Sequence, residues 1–188
     1  MKLSLFLFWL LAGSALADTS RWSGTSNISF DGTSTLHDWG GKVAAKPFAT
    51  IVTTDAAGNP TKVEATVIVE VAKMDTAEAK RDENMRKAMH ATDHPLITGV
   101  IDTPFNAIRQ GDAAPATLPL KLTMLGKTQT ITGRISHWKH QGDKASFDLD
   151  FDLSLKKSDI KVPSVLLFIR VGDTIKVHAA VSLKRNPS

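Results

Sequence analysis

The chain has 188 residues, and its 23 Lys and Arg against 19 Asp and Glu give a formal net charge of +4 at pH 7. The absence of cysteine excludes disulfide bonds, thiolate catalysis and cysteine-based metal sites. The basic residues are scattered among the acidic ones, so the chain lacks the basic patch that is typical of nucleic-acid-binding proteins.

The N-terminus has the three parts of a secretory signal peptide. Lys2 supplies a basic region, Leu3 to Leu11 form a short apolar stretch, and Ala15-Leu16-Ala17 matches a small-x-small cleavage site. We expect residues 1–17 to be removed and the mature chain to begin at Asp18. The apolar stretch is shorter than the roughly 20 residues that a membrane-spanning helix needs, so an uncleaved anchor is the less favoured alternative.

Residues 18–188 are predicted to form one domain, in which the dominant signal is a period of two. Alternating apolar and polar residues place an apolar row on one face of a strand, and no helix separates them in this way. The clearest rows predict four strands: Val63, Ala65, Val67, Val69 and Val71; Leu118, Leu120, Leu122 and Met124; Phe147, Leu149, Phe151, Leu153 and Leu155; Ile175, Val177, Ala179, Val181 and Leu183. Weaker patterns predict four more: Trp22 to Phe30, Trp39 to Phe48, Ile97 to Ala107, and Thr128 to Trp138.

Turn-forming residues separate these strands. Gly58-Asn59-Pro60, Gly126-Lys127 and Gln141-Gly142-Asp143 predict tight turns, and Gly111 to Pro115 predicts a loop. Consecutive strands that are joined by short turns form an antiparallel meander.

One segment interrupts the strand pattern. Thr76 to His90 is rich in Ala, Glu, Lys, Arg and Met and stops before Pro95, which predicts the one substantial helix. A shorter helical turn is expected around Ser158, on the way to Pro163.

The fold class that follows is all-β: an antiparallel up-and-down barrel of about eight strands, with one helix inserted between strands. A sheet with one apolar face must pack on another layer or close on itself, and one helix cannot cover eight strands. An eight-stranded barrel can be filled by side chains or can hold one small ligand. Because aromatic residues make up only 6% of the chain and Tyr is absent, we expect an underfilled lumen that favours an apolar guest.

Four stretches, in the right order and spread over nearly all of the mature chain, resemble the YceI-like family. They are Thr76 to Arg86 continuing through Asp93 to Ile97, Leu120 to Ile131, Leu155 to Ile160, and Gly172 to Val177. The resemblance implies a lipocalin-like barrel in the bacterial periplasm or secreted, whose lumen binds a polyisoprenoid or another long amphiphile. It brings no catalytic residues.

The apolar rows supply the predicted lining of the lumen: Ala65, Val67, Val69, Leu120, Leu122, Phe147, Leu149, Phe151, Val177 and Ala179. Three basic residues of the predicted helix, Arg81, Arg86 and Lys87, are candidates for contact with a ligand head group, with a solvated helix face as the alternative.

Other polar groups are candidates for metal binding or catalysis. His90 and His94 have the spacing of two metal ligands, but Pro95 ends the helix and no third ligand is evident. Ser34 with His37-Asp38 could form a hydrolase site, although no nucleophile elbow is present. Three aspartates that alternate with one apolar row are interpreted as a solvated face, with a calcium site as the alternative; they are Asp148, Asp150 and Asp152.

The sequence therefore predicts an exported carrier or reservoir without enzymatic activity and without a cofactor. Its expected partner is a lipid-like molecule, an isoprenoid or a fatty-acid derivative, with no nucleic acid and no stable membrane insertion; a homodimer is left open. The alternatives are a metal- or His/Asp-dependent periplasmic hydrolase and an interaction module that carries no ligand.

Overall fold

The computed structural model describes residues 18–108, 116–161 and 171–187. The predicted signal peptide and the loop predicted at Gly111 to Pro115 therefore lie outside the described residues. The strands and the helix, in chain order, are β1 Asp18–Ser34, β2 Trp39–Ala44, β3 Phe48–Thr54, β4 Pro60–Glu70, α1 Ala79–Ala88, β5 Leu96–Pro104, β6 Thr117–Met124, β7 Lys127–Gln141, β8 Lys144–Ser154 and β9 Val171–Arg185. Single 3₁₀ turns are formed by Val71–Lys73, Phe105–Ala107 and Lys156–Ser158.

The sheet closes because its last strand pairs with its first. From β3 to β9 each strand pairs antiparallel with the next, and β9 returns to β1, with paired residues running from Trp22 and Arg185 to Ser34 and Val171. This closed antiparallel barrel of eight strand positions, with one helix, confirms the predicted fold class.

The strand predicted over Trp39 to Phe48 is wrong in its extent. The chain forms two strands there, and β1 uses both on the same edge: β2 pairs with Asn27 to Gly32, and β3 pairs with Asp18 to Gly24. The break falls at Ala45 to Pro47, where proline has no N–H to donate to a ladder. The nine strands thus occupy eight positions.

The turn between β6 and β7 is one residue earlier than predicted. Met124 pairs with Lys127, so the two turn residues are Leu125 and Gly126, and both have positive φ, +48° and +70°. Two consecutive positive φ angles match the right-handed twist of the flanking strands, which is the usual geometry of a two-residue hairpin. The hairpin predicted around Gly142 is present, with Gln141 paired to Lys144.

Helix α1 is shorter than the predicted Thr76 to His90. Glu78 caps its N-terminus, because its carboxylate accepts hydrogen bonds from the backbone N–H groups of Lys80 and Arg81. At the other end, His90 has a left-handed backbone with φ +47°, which stops the helix. No helix in the ranges that the structure describes is long and apolar enough to cross a membrane.

The expected helical turn around Ser158 is a 3₁₀ turn at Lys156–Ser158, and it ends in Asp159 with φ +55°. The continuation toward Pro163 lies outside the described residues.

Candidate functional site in the barrel lumen

The inward rows of the strands enclose an apolar cavity of about 550 Å³. All ten residues that were predicted to line the lumen line this cavity. Its described lining contains no charged side chain, and its hydroxyl groups come from Ser26 and Thr50. A volume of this size falls within the range of small-molecule binding sites.

Several inward-pointing side chains are only partly buried although they face the barrel interior. Phe147 and Phe151 both line the cavity and keep intermediate exposure, whereas Leu149 between them is buried. In a filled core, side chains of this size would be covered by their neighbours. The lumen is therefore underfilled.

A second cavity, of about 410 Å³, lies at the end of the barrel where α1 packs. The helix presents one face to it, since Arg81, Asn84, Met85 and Ala88 all line the cavity and have the spacing of a single helix face. Met89, which follows the helix, also lines this cavity and is buried.

The two cavities share six lining residues and therefore adjoin along the barrel, and together they are called the tract: Ile28, Val69, Ile97, Leu122, Phe151 and Val177. On β9 the lining of the tract runs from Val171 in the helix-end cavity to Leu183 in the other. Twelve residues of strand span about 40 Å, which corresponds to about 30 Å of depth for a strand tilted by about 40°. The space is long and narrow.

The rim of the helix-end cavity carries its charged groups. Arg81 lines this rim, and its Nη1 donates a 3.4 Å hydrogen bond to the carbonyl oxygen of Thr76. Arg86 and Lys87, the other predicted head-group candidates, are not among the lining residues. Lys87 instead pairs with Glu83, as does Lys80, and these two ammonium groups lower the pKa of Glu83 to about 2. Of the three candidates, the structure thus places only Arg81 at the cavity.

Two aromatic residues and one leucine mark the ends of the tract, and sequence reasoning did not single them out. Leu36 lies in the β1–β2 turn and Trp39 directly follows that turn. Both line the helix-end cavity, and Leu36 is 67% exposed. At the opposite end, Trp138 is 58% exposed, lines the larger cavity and packs on Phe147 with ring centroids 5.7 Å apart. Trp138 follows His137, whose φ of +51° lies within the bulge of β7.

Gly32 creates the space for one of these aromatic rings. A Cβ atom at Gly32 would collide with the indole of Trp39 and would lie 3.0 Å from Cδ1 of Ile175. Glycine in a strand interior permits such a close approach. The ring of Trp39 can therefore lie across β1 at the rim.

The residues proposed for a hydrolase site or a metal site do not form one among the described residues. The hydroxyl of Ser34 donates to the backbone oxygen of His37 at 2.7 Å and accepts from the backbone N–H of His37 at 3.3 Å, so it stabilises the turn. His90 and His94 are both exposed, and they are joined by a backbone hydrogen bond. Among the described residues no group of three or more His, Asp or Glu is arranged to hold a metal ion.

The outward aspartates of β8 bond to neighbouring strands. Asp148 lies 2.7 Å from Nδ1 of His137, and Asp150 lies 2.8 Å from Nδ1 of His178 and 3.6 Å from Arg134. These contacts link the outer face of β7, β8 and β9.

Comparison with models of protein families identifies the family of this barrel. The model of the YceI-like domain matches residues 22–183, which is nearly the whole described barrel. The chain belongs to the YceI-like domain family. A comparison with curated proteins gave no match.

Solved structures with the same fold include relatives of this family. BcnA of Burkholderia cenocepacia is 17% identical, with a TM-score of 0.65 over 84% of this chain and 95% of that one. A polyisoprenoid binding domain from Saccharophagus degradans is 11% identical, with a TM-score of 0.63 over 87% and 98%. The YceI protein of Campylobacter jejuni is 16% identical, with a TM-score of 0.50 over 66% and 73%. At these identities the likeness concerns the fold.

Proposed function

We propose that the mature chain is an exported carrier that holds a polyisoprenoid or another long-chain amphiphilic lipid in its lumen and catalyses no reaction. The observation that carries the proposal is the pair of adjoining apolar cavities of about 410 and 550 Å³, the larger of which has no charged side chain in its described lining. Membership of the YceI-like family and the likeness to a polyisoprenoid binding domain support the ligand class.

The shape of the tract suits a chain more than a compact ligand. Each methylene that leaves water contributes about 0.8 kcal/mol, so a dozen of them contribute roughly 10 kcal/mol before the cost of association. An exposed ion pair at the rim contributes about 0 to 1 kcal/mol. Affinity then comes from the lumen, while the rim discriminates among head groups.

Arg81 is the rim residue that we assign to the head group. Its guanidinium can donate two parallel hydrogen bonds to a phosphate or carboxylate. Lys80 is a weaker candidate although it also lines the rim, because its ammonium group is engaged by Glu83 at 2.9 Å.

Export is the second part of the proposal, and it rests on the signal-peptide pattern of residues 1–17. Cleavage before Asp18 would leave the barrel whole, because β1 begins at Asp18 and pairs with Thr54 from its first residue. N-terminal sequencing of protein from the periplasmic fraction should return Asp18. Intact Met1 in the membrane fraction would contradict export as a soluble carrier.

Native mass spectrometry tests the carrier function directly. Protein purified from its own periplasm should carry a non-covalent adduct that organic extraction removes and identifies as a lipid. A homogeneous protein without an adduct, which also fails to take up a fluorescent long-chain lipid, would favour the ligand-free interaction module.

A further inference from the structure

The larger cavity contains one buried polar atom that has no partner. Ser26 lies on β1 in the row that faces the lumen, is 5% exposed, and lines this cavity. Its hydroxyl oxygen is buried and has no hydrogen-bond partner among the residues that the structure describes. A buried hydroxyl that stays unpaired is costly, so such an atom calls for an explanation.

The surroundings of Ser26 do not supply that partner. Its neighbours in the same row of β1 are Gly24 and Ile28, and its cross-strand partner on β9 is Val181. Thr50, whose hydroxyl also lines the cavity, is opposite Trp22, which lies four residues or about 13 Å from Ser26 along β1. A buried water needs two to four polar partners, and the side chains beside Ser26 offer it no second group. An oxygen atom that is attached to a bound lipid needs only this one hydrogen bond, because the rest of the lipid is held by apolar contacts.

We propose that Ser26 is a hydrogen-bonding subsite in the lumen, which pairs with a neutral oxygen, a carbonyl or a hydroxyl, on the buried part of the bound lipid. This inference rests on the proposed carrier function and narrows the ligand to a lipid that carries a neutral oxygen on the part buried in the lumen. A charged group is excluded at this depth, since the described lining of the cavity has no opposite charge to neutralise it.

The position of Ser26 specifies where the ligand carries that oxygen. Gly32, at the rim beside Trp39, lies six residues further along β1. Six residues span about 20 Å of strand, or about 15 Å of depth at a tilt of about 40°. A head group held by Arg81 at the rim would be too far away, so the oxygen belongs either to the chain of such a lipid or to the head of a lipid that enters head first.

Competition against a fluorescent long-chain lipid tests the subsite. The probes are a long-chain alkane, the symmetric ketone of the same length, and the terminal alcohol of the same length. In the wild-type protein the ketone and the alcohol should compete better than the alkane. Ser26→Ala should reduce this preference for an oxygenated probe about fivefold, because one hydrogen bond corresponds to about that factor in affinity. Ser26→Thr, which keeps a hydroxyl, should retain it.

The three probes separate the two sources of oxygen. Loss of the preference for the ketone alone indicates a chain oxygen, and loss for the alcohol alone indicates a head oxygen. Ser182→Ala is the matched control, because Ser182 is exposed on the neighbouring strand β9 and faces outward. It should leave both preferences unchanged.

Two results would overturn the subsite. The first is an unchanged preference for both oxygenated probes in Ser26→Ala. The second is a lower thermal midpoint or loss of folding in Ser26→Ala when both proteins are measured free of lipid, because removal of a hydroxyl without a partner should then leave stability equal or higher. If no probe and no fluorescent lipid binds the wild-type protein, the carrier function itself fails and the subsite with it.

Discussion

Gln129 and Ser158 form a buried hydrogen bond that joins β7 to the turn after β8. Nε2 of Gln129 donates to the hydroxyl of Ser158 and to the carbonyl oxygen of Ser154, both at 2.7 Å. Oε1 of Gln129 accepts from the backbone N–H of Ser154 at 3.3 Å. Ser158 is fully buried, so one amide satisfies the polar groups of a turn that packs at the helix end of the barrel.

Gln129→Leu should destabilise the fold by about 2 to 3 kcal/mol, because it leaves the polar groups of this turn buried without partners. Urea unfolding measures the free energy. Thr130→Val, on the exposed face of the same strand, should stay within about 0.5 kcal/mol of the wild type. In a double-mutant cycle, Gln129→Leu and Ser158→Ala should be non-additive by at least about 0.5 kcal/mol, and strict additivity would show that the bond is not formed.

Asp173 should make stability depend on pH at the same end of the barrel. The backbone N–H of Lys156 at 2.8 Å and the hydroxyl of Ser154 at 2.7 Å donate to its carboxylate and lower its pKa below the ordinary 3.8. A lowered pKa contributes stability above pH 3.8 that is lost as the pH falls through the folded-state value.

The free energy of unfolding of wild type and Asp173→Asn should therefore differ at neutral pH and converge as the pH falls through the folded-state pKa of Asp173, which lies below 3.8. Urea titrations at several pH values give the two curves. Asp143→Asn, at an exposed hairpin turn, should follow the wild-type curve. A difference that is constant with pH would mean that the charge of Asp173 is not involved.

Arg81 and Lys87 form a matched pair for the head-group assignment. Arg81 lines the rim, whereas Lys87 lies on the same helix, pairs with Glu83 and does not line the cavity. Arg81→Gln should weaken binding of an anionic lipid by up to about fivefold, since an exposed ion pair contributes up to about 1 kcal/mol. Lys87→Gln should have no effect. Binding titrations at low and high salt, with a lipid phosphate and with the corresponding alcohol, separate the contribution of charge from that of packing. Equal effects of the two variants on lipid binding would refute the assignment.

Met85 should control how fast the ligand leaves. It lies on the face of α1 that lines the helix-end cavity, and it packs against buried hydrophobic residues of the barrel interior. Met85→Ala removes apolar contact worth roughly one or two methylenes, so release of a fluorescent lipid should be about threefold to tenfold faster. Arg86→Ala, next to it and off that face, is the control. Unchanged stopped-flow release in Met85→Ala would indicate that the ligand leaves at the Trp138 end.

The period-two pattern predicted the lumen well because strand geometry determines which face a residue occupies. Once Phe147 is inward, Leu149 and Phe151 must be inward too, wherever the strand lies in the barrel. The partner change along β1 was not predictable in this way, since it depends on pairing between residues far apart in the sequence. The turn at Leu125 was misplaced because a non-glycine residue adopts positive φ there.

The face that helix α1 presents to the cavity is visible in the sequence. The spacing of Arg81, Asn84, Met85 and Ala88 marks one face in the sequence itself and separates Arg81 from the other basic candidates. That this face packs over the barrel end requires the structure. The period of two in β1 places Ser26 in the inward row with Ile28 and Phe30, but that its hydroxyl lacks a partner can be seen only in the structure.

Ala179 and Ala180 test whether the lumen is open, because they are adjacent on β9 and face opposite ways. Ala179 is buried, pairs with Ile28 and Leu149, and lines the larger cavity. Ala180 is exposed on the outer face, opposite Asp148. The same substitution at the two positions therefore adds the same side chain to the lumen or to the solvent.

In Ala179→Trp the indole ring should occupy space within the cavity of about 550 Å³, so the fold should survive while the lipid is displaced. In Ala180→Trp both the fold and the lipid should be retained. If the interior were a packed core, the ring at position 179 would overpack it and cost about 1 to 3 kcal/mol. Thermal midpoint and extractable lipid should be measured for both variants. A marked fall in the midpoint of Ala179→Trp, in a protein whose wild type never carries lipid, would refute the carrier function.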